Sequence, residues 1–325
     1  MNKAILYSKF VRYEVMNTLF NQHVSTRCIS SLPINLYIDI QSVYKQALSE
    51  NLIPNDVKVL SINVLNMAAH YRHYFRKKFG SEIRVFIVNS NKNENYNLYQ
   101  SLNNQNNDSM FKIIKVLAPY FPNIYYLSRE GFNATSIIYD IINRNPNNHV
   151  HFVISNDIYS YQLPALCNNC FVLRPSTNPK LVTYFNSIES WYSRKSSIDV
   201  SDLHPALLSL IMALNKCPEL NIPTLYNMKN TLYTIRQMIN SSYILNGYNT
   251  PIDLVMFKNN DIDVFNRWNL CDLVSQSREY SNSLFACDES WMISKKCDFK
   301  ELSHIIDKNF NYDADNILNF IYLLD

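Results

Sequence analysis

Short apolar runs that end on a polar group recur through the first half of the chain, with helical periodicities between them. Residues 34–40, INLYIDI, form the first run, read as a buried strand whose carboxyl end carries Asp39. From Lys58 to Phe79 the apolar positions Val59, Val64, Leu65, Met67 and Ala68 fall at helical spacing and lead into YRHYFRKKF. Arg84 to Asn89, RVFIVN, is a second strand, and the Asn- and Gln-rich stretch from Ser90 to Asp108 is a loop or exposed segment with little core. Phe111 to Tyr120 is an amphipathic helix, NIYYLS a third strand and Asn133 to Ile142 another helix. His149 to Ser155, HVHFVIS, is a fourth strand with Asp157 directly after it.

Strands separated by helices, most ending in a polar residue, predict an α/β fold with a parallel sheet whose site lies at the carboxyl ends of the strands. Beyond residue 195 the pattern changes. The stretch DLHPALLSLIMALNKCPELNIPTLYNMKNTLYTIRQMI reads as helical, as does most of the remainder to Asp325. The expected organisation is therefore an α/β domain over 1–195 and a helical region over 196–325, joined near SRKSSID.

Composition removes whole classes of function. Only three glycines occur, where average usage near 7% gives about seven times more. Gly80, Gly131 and Gly247 are isolated, so a Gly-rich phosphate loop, a dinucleotide fingerprint and a GxSxG elbow are all excluded. With 47% hydrophobic and 18% charged residues the chain can bury a sizeable core. A net charge of +3 from 30 basic and 27 acidic side chains does not mark a nucleic-acid binder by itself. Seven scattered cysteines read as reduced thiols rather than a disulfide framework. The mixed start MNKAILYSKFVRYEV lacks a secretory h-region and no apolar run reaches about 18 residues. The expectation is a protein that is cytoplasmic or virion-associated, neither secreted nor in a membrane; the 44 asparagines reflect AT-rich coding and a phage or viral source.

Taken in order, these runs resemble the flap-endonuclease and 5'-nuclease family of PIN-like fold. Enzymes of that family cluster carboxylates at the carboxyl ends of parallel strands to hold two divalent metals at a phosphodiester. YIDIQS resembles the first motif, LVDGSS, and supplies Asp39, with Ile40 in place of glycine. IVNS resembles VFDA with Asn89 in place of the acid. Gly131 to Ile138, GFNATSII, resembles GxEADDxI while placing neutral Asn133, Thr135 and Ser136 at its three acidic positions. SNDIYSYQL resembles SSDKDFxQL, keeping Asp157, Gln162 and Leu163 and putting Tyr159 at the second acid. ALNKCPELNIPTLYNMKNTL resembles the DNA-clamping hairpin, a degenerate helix-hairpin-helix-like segment. It retains Ala213, Leu214, Asn221, Ile222 and Pro223 but has Cys217 and Leu220 for acids, and Lys216, Thr224, Asn227 and Lys229 for glycines.

The resemblance spans Leu32 to about Leu232, and of the acids in its motifs only Asp39 and Asp157 survive. It implies a fold kept while the metal site was dismantled, with no bound metal and no cofactor. Asp39 and Asp157 either bind one metal weakly or cap the helices that follow their strands. The cluster Arg72, Arg76, Lys77 and Lys78, interleaved with Tyr71, Tyr74 and Phe75, either meets a nucleic-acid backbone or is a solvated helix end. Cys167-Asn168-Asn169-Cys170 has zinc-like spacing but no second pair, and reads as two ordinary thiols. The expectation is an inactive nuclease-like protein serving as a structural or assembly component of a phage or viral particle or complex, with a protein partner or a second copy. The alternatives are a non-cleaving nucleic-acid-binding factor of replication or transcription, and an enzyme drawing ligands from DESW or NYDADN.

Overall fold

The structure is a computed structural model that describes residues 13–23, 32–43, 57–80, 82–91, 114–120, 123–130, 132–144, 149–176, 179–192, 199–200, 203–215, 217, 220–225, 228–240 and 262–282. Helix α1 (Tyr13–His23) precedes β1 (Ile34–Asp39). Then come α2 (Val57–Phe79), β2 (Ile83–Asn91), β3 (Ile124–Glu130), α3 (Ala134–Arg144), β4 (Val150–Ile154), α4 (Leu163–Leu166), β5 (Cys170–Arg174), β6 (Lys180–Val182) and α5 (Ser187–Tyr192). Helices α6 (Leu208–Leu214), α7 (Met228–Asn240), α8 (Ile262–Cys271) and α9 (Leu273–Asn282) complete the described elements.

The sheet has six strands in the order β3-β2-β1-β4-β5-β6. β1 to β5 are parallel and β6 is antiparallel. Every residue of β1 and β4 is buried, as a parallel sheet covered on both faces requires. Two strands escape the sequence pattern because they are short: CFVLR is squeezed between the CNNC turn and Pro175, and KLV is a three-residue edge.

The faces carry separate cores. On one, Ile34, Leu36 and Ile38 pack under α1 and α2 with an aromatic cluster of Phe20, Phe75, Phe79 and Phe152. Phe75 and Phe152 have ring centroids 4.6 Å apart, and Phe20 meets Phe75 edge-on at 5.4 Å; such pairs add about 0.5–1.5 kcal/mol each to their area burial. On the other face Tyr37, Phe86 and Val153 pack with α3, and the same cluster takes in Leu208 to Leu214 of α6 and Trp268 of α8. The sheet and the helices beyond residue 195 thus share one apolar cluster.

Helix α2 stops at Gly80, which takes φ +68° and returns its amide to the Arg76 carbonyl at 2.9 Å. This is the left-handed helix cap that glycine adopts without strain. The helical stretch expected from 202 to 239 is divided between α6 and α7. Between them Cys217 and Ile222 form an antiparallel bridge, with Asn221 at φ +55°, and Pro223 next to the bridge has no amide to carry a helix through it. The polar stretch 92–108, Gly131 and Gly247 lie outside the described residues. Among the described residues no helix is long and apolar enough to cross a membrane.

Candidate functional site

At the carboxyl end of the sheet, two acids and two hydroxyl side chains form one hydrogen-bonded chain. β1 and β4 are in register up to Ile38 and Ile154, so Asp39 and Ser155 are neighbours one step on. Ser155 Oγ donates to Asp39 Oδ2 at 2.7 Å and accepts the Asp157 amide at 2.9 Å. Asp39 Oδ1 accepts the Ser42 amide at 3.1 Å, a cap on the helical turn of residues 40–43. Thr135 Oγ1 donates to Asp157 Oδ2 from the first turn of α3. That helix end carries about half a positive charge, which favours the carboxylate.

Helix α3 starts as its sequence directs. Asn133 Oδ1 accepts the Ser136 amide at 2.6 Å, making Asn133 the N-cap. Thr135 and Ser136 are buried at the helix start. Where the resembled motif carries three acids, this chain has a cap at Asn133, a hydroxyl donor to Asp157 at Thr135 and a buried hydroxyl at Ser136, and of the three it is Thr135 that bonds Asp157.

Two predicted positions point elsewhere. Asp39 is in register with Val88, so Asn89 alternates to the opposite face. There it is 5% exposed, hydrogen-bonds the Tyr126 hydroxyl, and adds nothing to the Asp39–Asp157 chain. Tyr159 sends its hydroxyl to the Leu270 carbonyl at 2.6 Å, fastening the end of α8. Gln162 joins it, donating to the Cys271 carbonyl at 2.7 Å and accepting the Leu273 amide at 3.1 Å, so it ties the α8–α9 junction to the loop after β4.

Ser155 and Arg174 were not singled out from sequence. The Arg174 guanidinium donates to the Asn156 and Asp157 carbonyls at 2.9 and 3.4 Å and lies 4.0 Å over the Tyr161 ring. Its place at the end of β5 was readable only once that strand was recognised.

The basic cluster is at the other end of the sheet. A helix between two parallel strands runs back against them, so α2 ends at the amino edge, where the Glu82 carbonyl accepts the Ile34 amide. Arg76 and Lys77 are exposed, but Arg72 is 9% exposed and Tyr71, Tyr74 and Phe75 are core residues that offer no ring to a base. Lys78 Nζ donates to Asn17 and Asn21 of α1 at 3.2 and 2.8 Å.

Cys167 and Cys170 are both buried. Burial pushes the Cys167 thiol up to about 12 and the Cys170 thiol well above its usual range, which disfavours the thiolate a zinc site needs. Among the described residues no group of three or more His, Cys, Asp or Glu side chains could hold a metal ion. A magnesium ion takes six oxygen ligands, several of them waters, with one or two carboxylates of its own. Two carboxylates already accepting an amide and two hydroxyls do not fit a pair of such ions. The acids of DESW and NYDADN lie outside the described residues.

No family model matches the chain, and no curated protein matches it in sequence. Solved structures do. The catalytic core of Rad2 in complex with a DNA substrate superposes with a TM-score of 0.50 at 12% identity, covering 91% of this chain and 93% of that one. A T5 5'-exonuclease mutant gives 0.47 at 10% identity over 89% and 99% of the two chains. Human GEN1 in complex with Holliday junction DNA gives 0.46 at 10% identity over 90% and 73%. The Rad2 likeness, with the strand order and helical layers, shows the fold: this chain has the PIN-like 5'-nuclease fold.

Proposed function

We propose that this chain is a non-cleaving protein of the 5'-nuclease fold, kept as a structural or assembly component of a phage or viral particle or complex. The observation that supports it is the reuse of the two carboxylates. Asp39 caps a helical turn and holds Ser155, and Asp157 receives the Thr135 hydroxyl at a helix start that carries only neutral groups. Tyr159, at the second acid of its motif, docks α8 instead. Flap and single-stranded substrates incubated with magnesium or manganese stay intact on this reading; product formation that Asp157→Ala abolishes contradicts it. The assembly role predicts co-purification with particles, and a freely diffusing monomer counts against it.

A nucleic-acid-binding accessory factor is the second reading. It is favoured by the exposed Arg76 and Lys77 and by the DNA named in the Rad2 structure. It keeps the absence of cleavage and changes the partner.

A further inference from the structure

The charges of the α/β layers divide unevenly between the two ends of the sheet. Helices α2 and α3 deliver their last turns to the edge where β2 and β4 begin. Arg76, Lys77 and Lys78 close α2, Arg144 closes α3, and Arg84 is the second residue of β2. The acids at this edge are Glu82, 3.8 Å from Arg84, and Asp140, 2.9 Å from Arg144. Among the described residues, then, five basic side chains meet two acidic ones here. At the carboxyl edge, among the residues whose side chains are described, Asp39 and Asp157 are balanced by Arg174 and Lys180.

A basic helix end is commonplace, because terminal carbonyls carry about half a negative charge that cations offset. This edge goes further: its cations come from three elements on both sides of the sheet. Arg76, Lys77 and Lys78 lie in the α1–α2 layer. Arg84 alternates with Ile83 and Val85, which pack under α2, so it lies on the α3 side with Arg144. With layers about 10 Å apart, the strip crosses roughly 20 Å of the molecule's end. A duplex presents one phosphate charge per about 1.7 Å of axis with both strands counted, so a strip of that length runs along about a dozen phosphates and faces those on the near side. The rings of α2 are turned into the core, which leaves charge without a stacking platform.

We propose that the amino edge of the sheet, opposite the Asp39–Asp157 chain, is a docking face for the phosphate backbone of a nucleic acid, bound without reading its bases. Binding does not depend on whether the carboxyl end cleaves, so it is measured on the full chain in EDTA. The readout is anisotropy of labelled single-stranded and duplex oligonucleotides across a salt series. Affinity falls steeply with salt, and Arg76→Glu with Lys77→Glu weakens it at least about tenfold and flattens the log–log salt slope by about two for duplex. Arg144→Glu acts in the same direction, whereas Lys180→Ala, exposed at the carboxyl edge, leaves slope and affinity unchanged. Lys77→Glu alone, at an exposed position, carries the test if the double variant does not fold; it flattens the slope by about one. Absence of binding at low salt overturns the proposal. So does binding lost with Lys180→Ala and retained in the amino-edge variants. Equal affinity for polyglutamate also overturns it, by making an acidic protein the partner.

Discussion

Replacing Asp39 by alanine distinguishes a carboxylate that braces the fold from one held for a cation. The side chain is 4% exposed and accepts the Ser42 amide at 3.1 Å and the Ser155 hydroxyl at 2.7 Å. Truncation removes a helix cap worth about 0.5–2 kcal/mol and a hydrogen bond to an ionised acceptor worth about 1.5–3 kcal/mol. With some relaxation the loss is about 2–4 kcal/mol, which lowers the melting temperature of a chain this size by about 3–6 °C. Thermal melting by circular dichroism in EDTA gives the answer, and Asp39→Asn, which keeps one acceptor, falls between wild type and alanine. In a site assembled for cations, neighbouring carboxylates repel and neutralising one stabilises the metal-free protein. An Asp39→Ala variant that melts at or above the wild-type temperature refutes the reasoning.

Gln162→Leu leaves the Cys271 carbonyl and the Leu273 amide without their side-chain partner. It costs about 2–4 kcal/mol and speeds hydrogen exchange in α8 and α9 before the sheet; unchanged exchange there removes Gln162 as the tie. Burial lowers the His70 and His149 pKa values below the ordinary imidazole range. The unfolded chain therefore takes up protons first, so stability is full above about pH 6.5 and declines as pH falls through the lower folded values. Melting curves from pH 8 to pH 5 show that decline, and His70→Gln with His149→Gln flattens it; an unaltered profile counts against the assignment. The Cys167 and Cys170 thiols, pushed up by burial, resist a thiol-directed disulfide reagent in the native state and react on unfolding, whereas rapid native reaction contradicts their placement.

How much of this was legible in the chain differs from residue to residue. Asp39, Asp157 and the α3 start could be read because an apolar run ending in a polar group marks the carboxyl end of a buried strand whatever the tertiary context. Asn89 could not be faced correctly. RVFIVN is apolar on both sides, so its alternation carries no sign of which residues look toward α2 and which toward α3. The aromatic residues among the α2 cations read equally well as stacking rings or as core, and only the position of Phe152 and Phe20 decided for the core. Ser155, Arg174 and the Tyr159 and Gln162 ties depend on partners up to about a hundred residues away in sequence, which no local pattern encodes.

The central claim is that Asp39 and Asp157 serve the fold rather than a pair of cations. Manganese binding followed by electron paramagnetic resonance tests it most directly, with wild type compared against Asp157→Ala. If they serve the fold, no strongly bound manganese is attributable to these acids, and both proteins give the same signal. A coupled pair of tightly bound ions in the wild type, lost in Asp157→Ala, contradicts it.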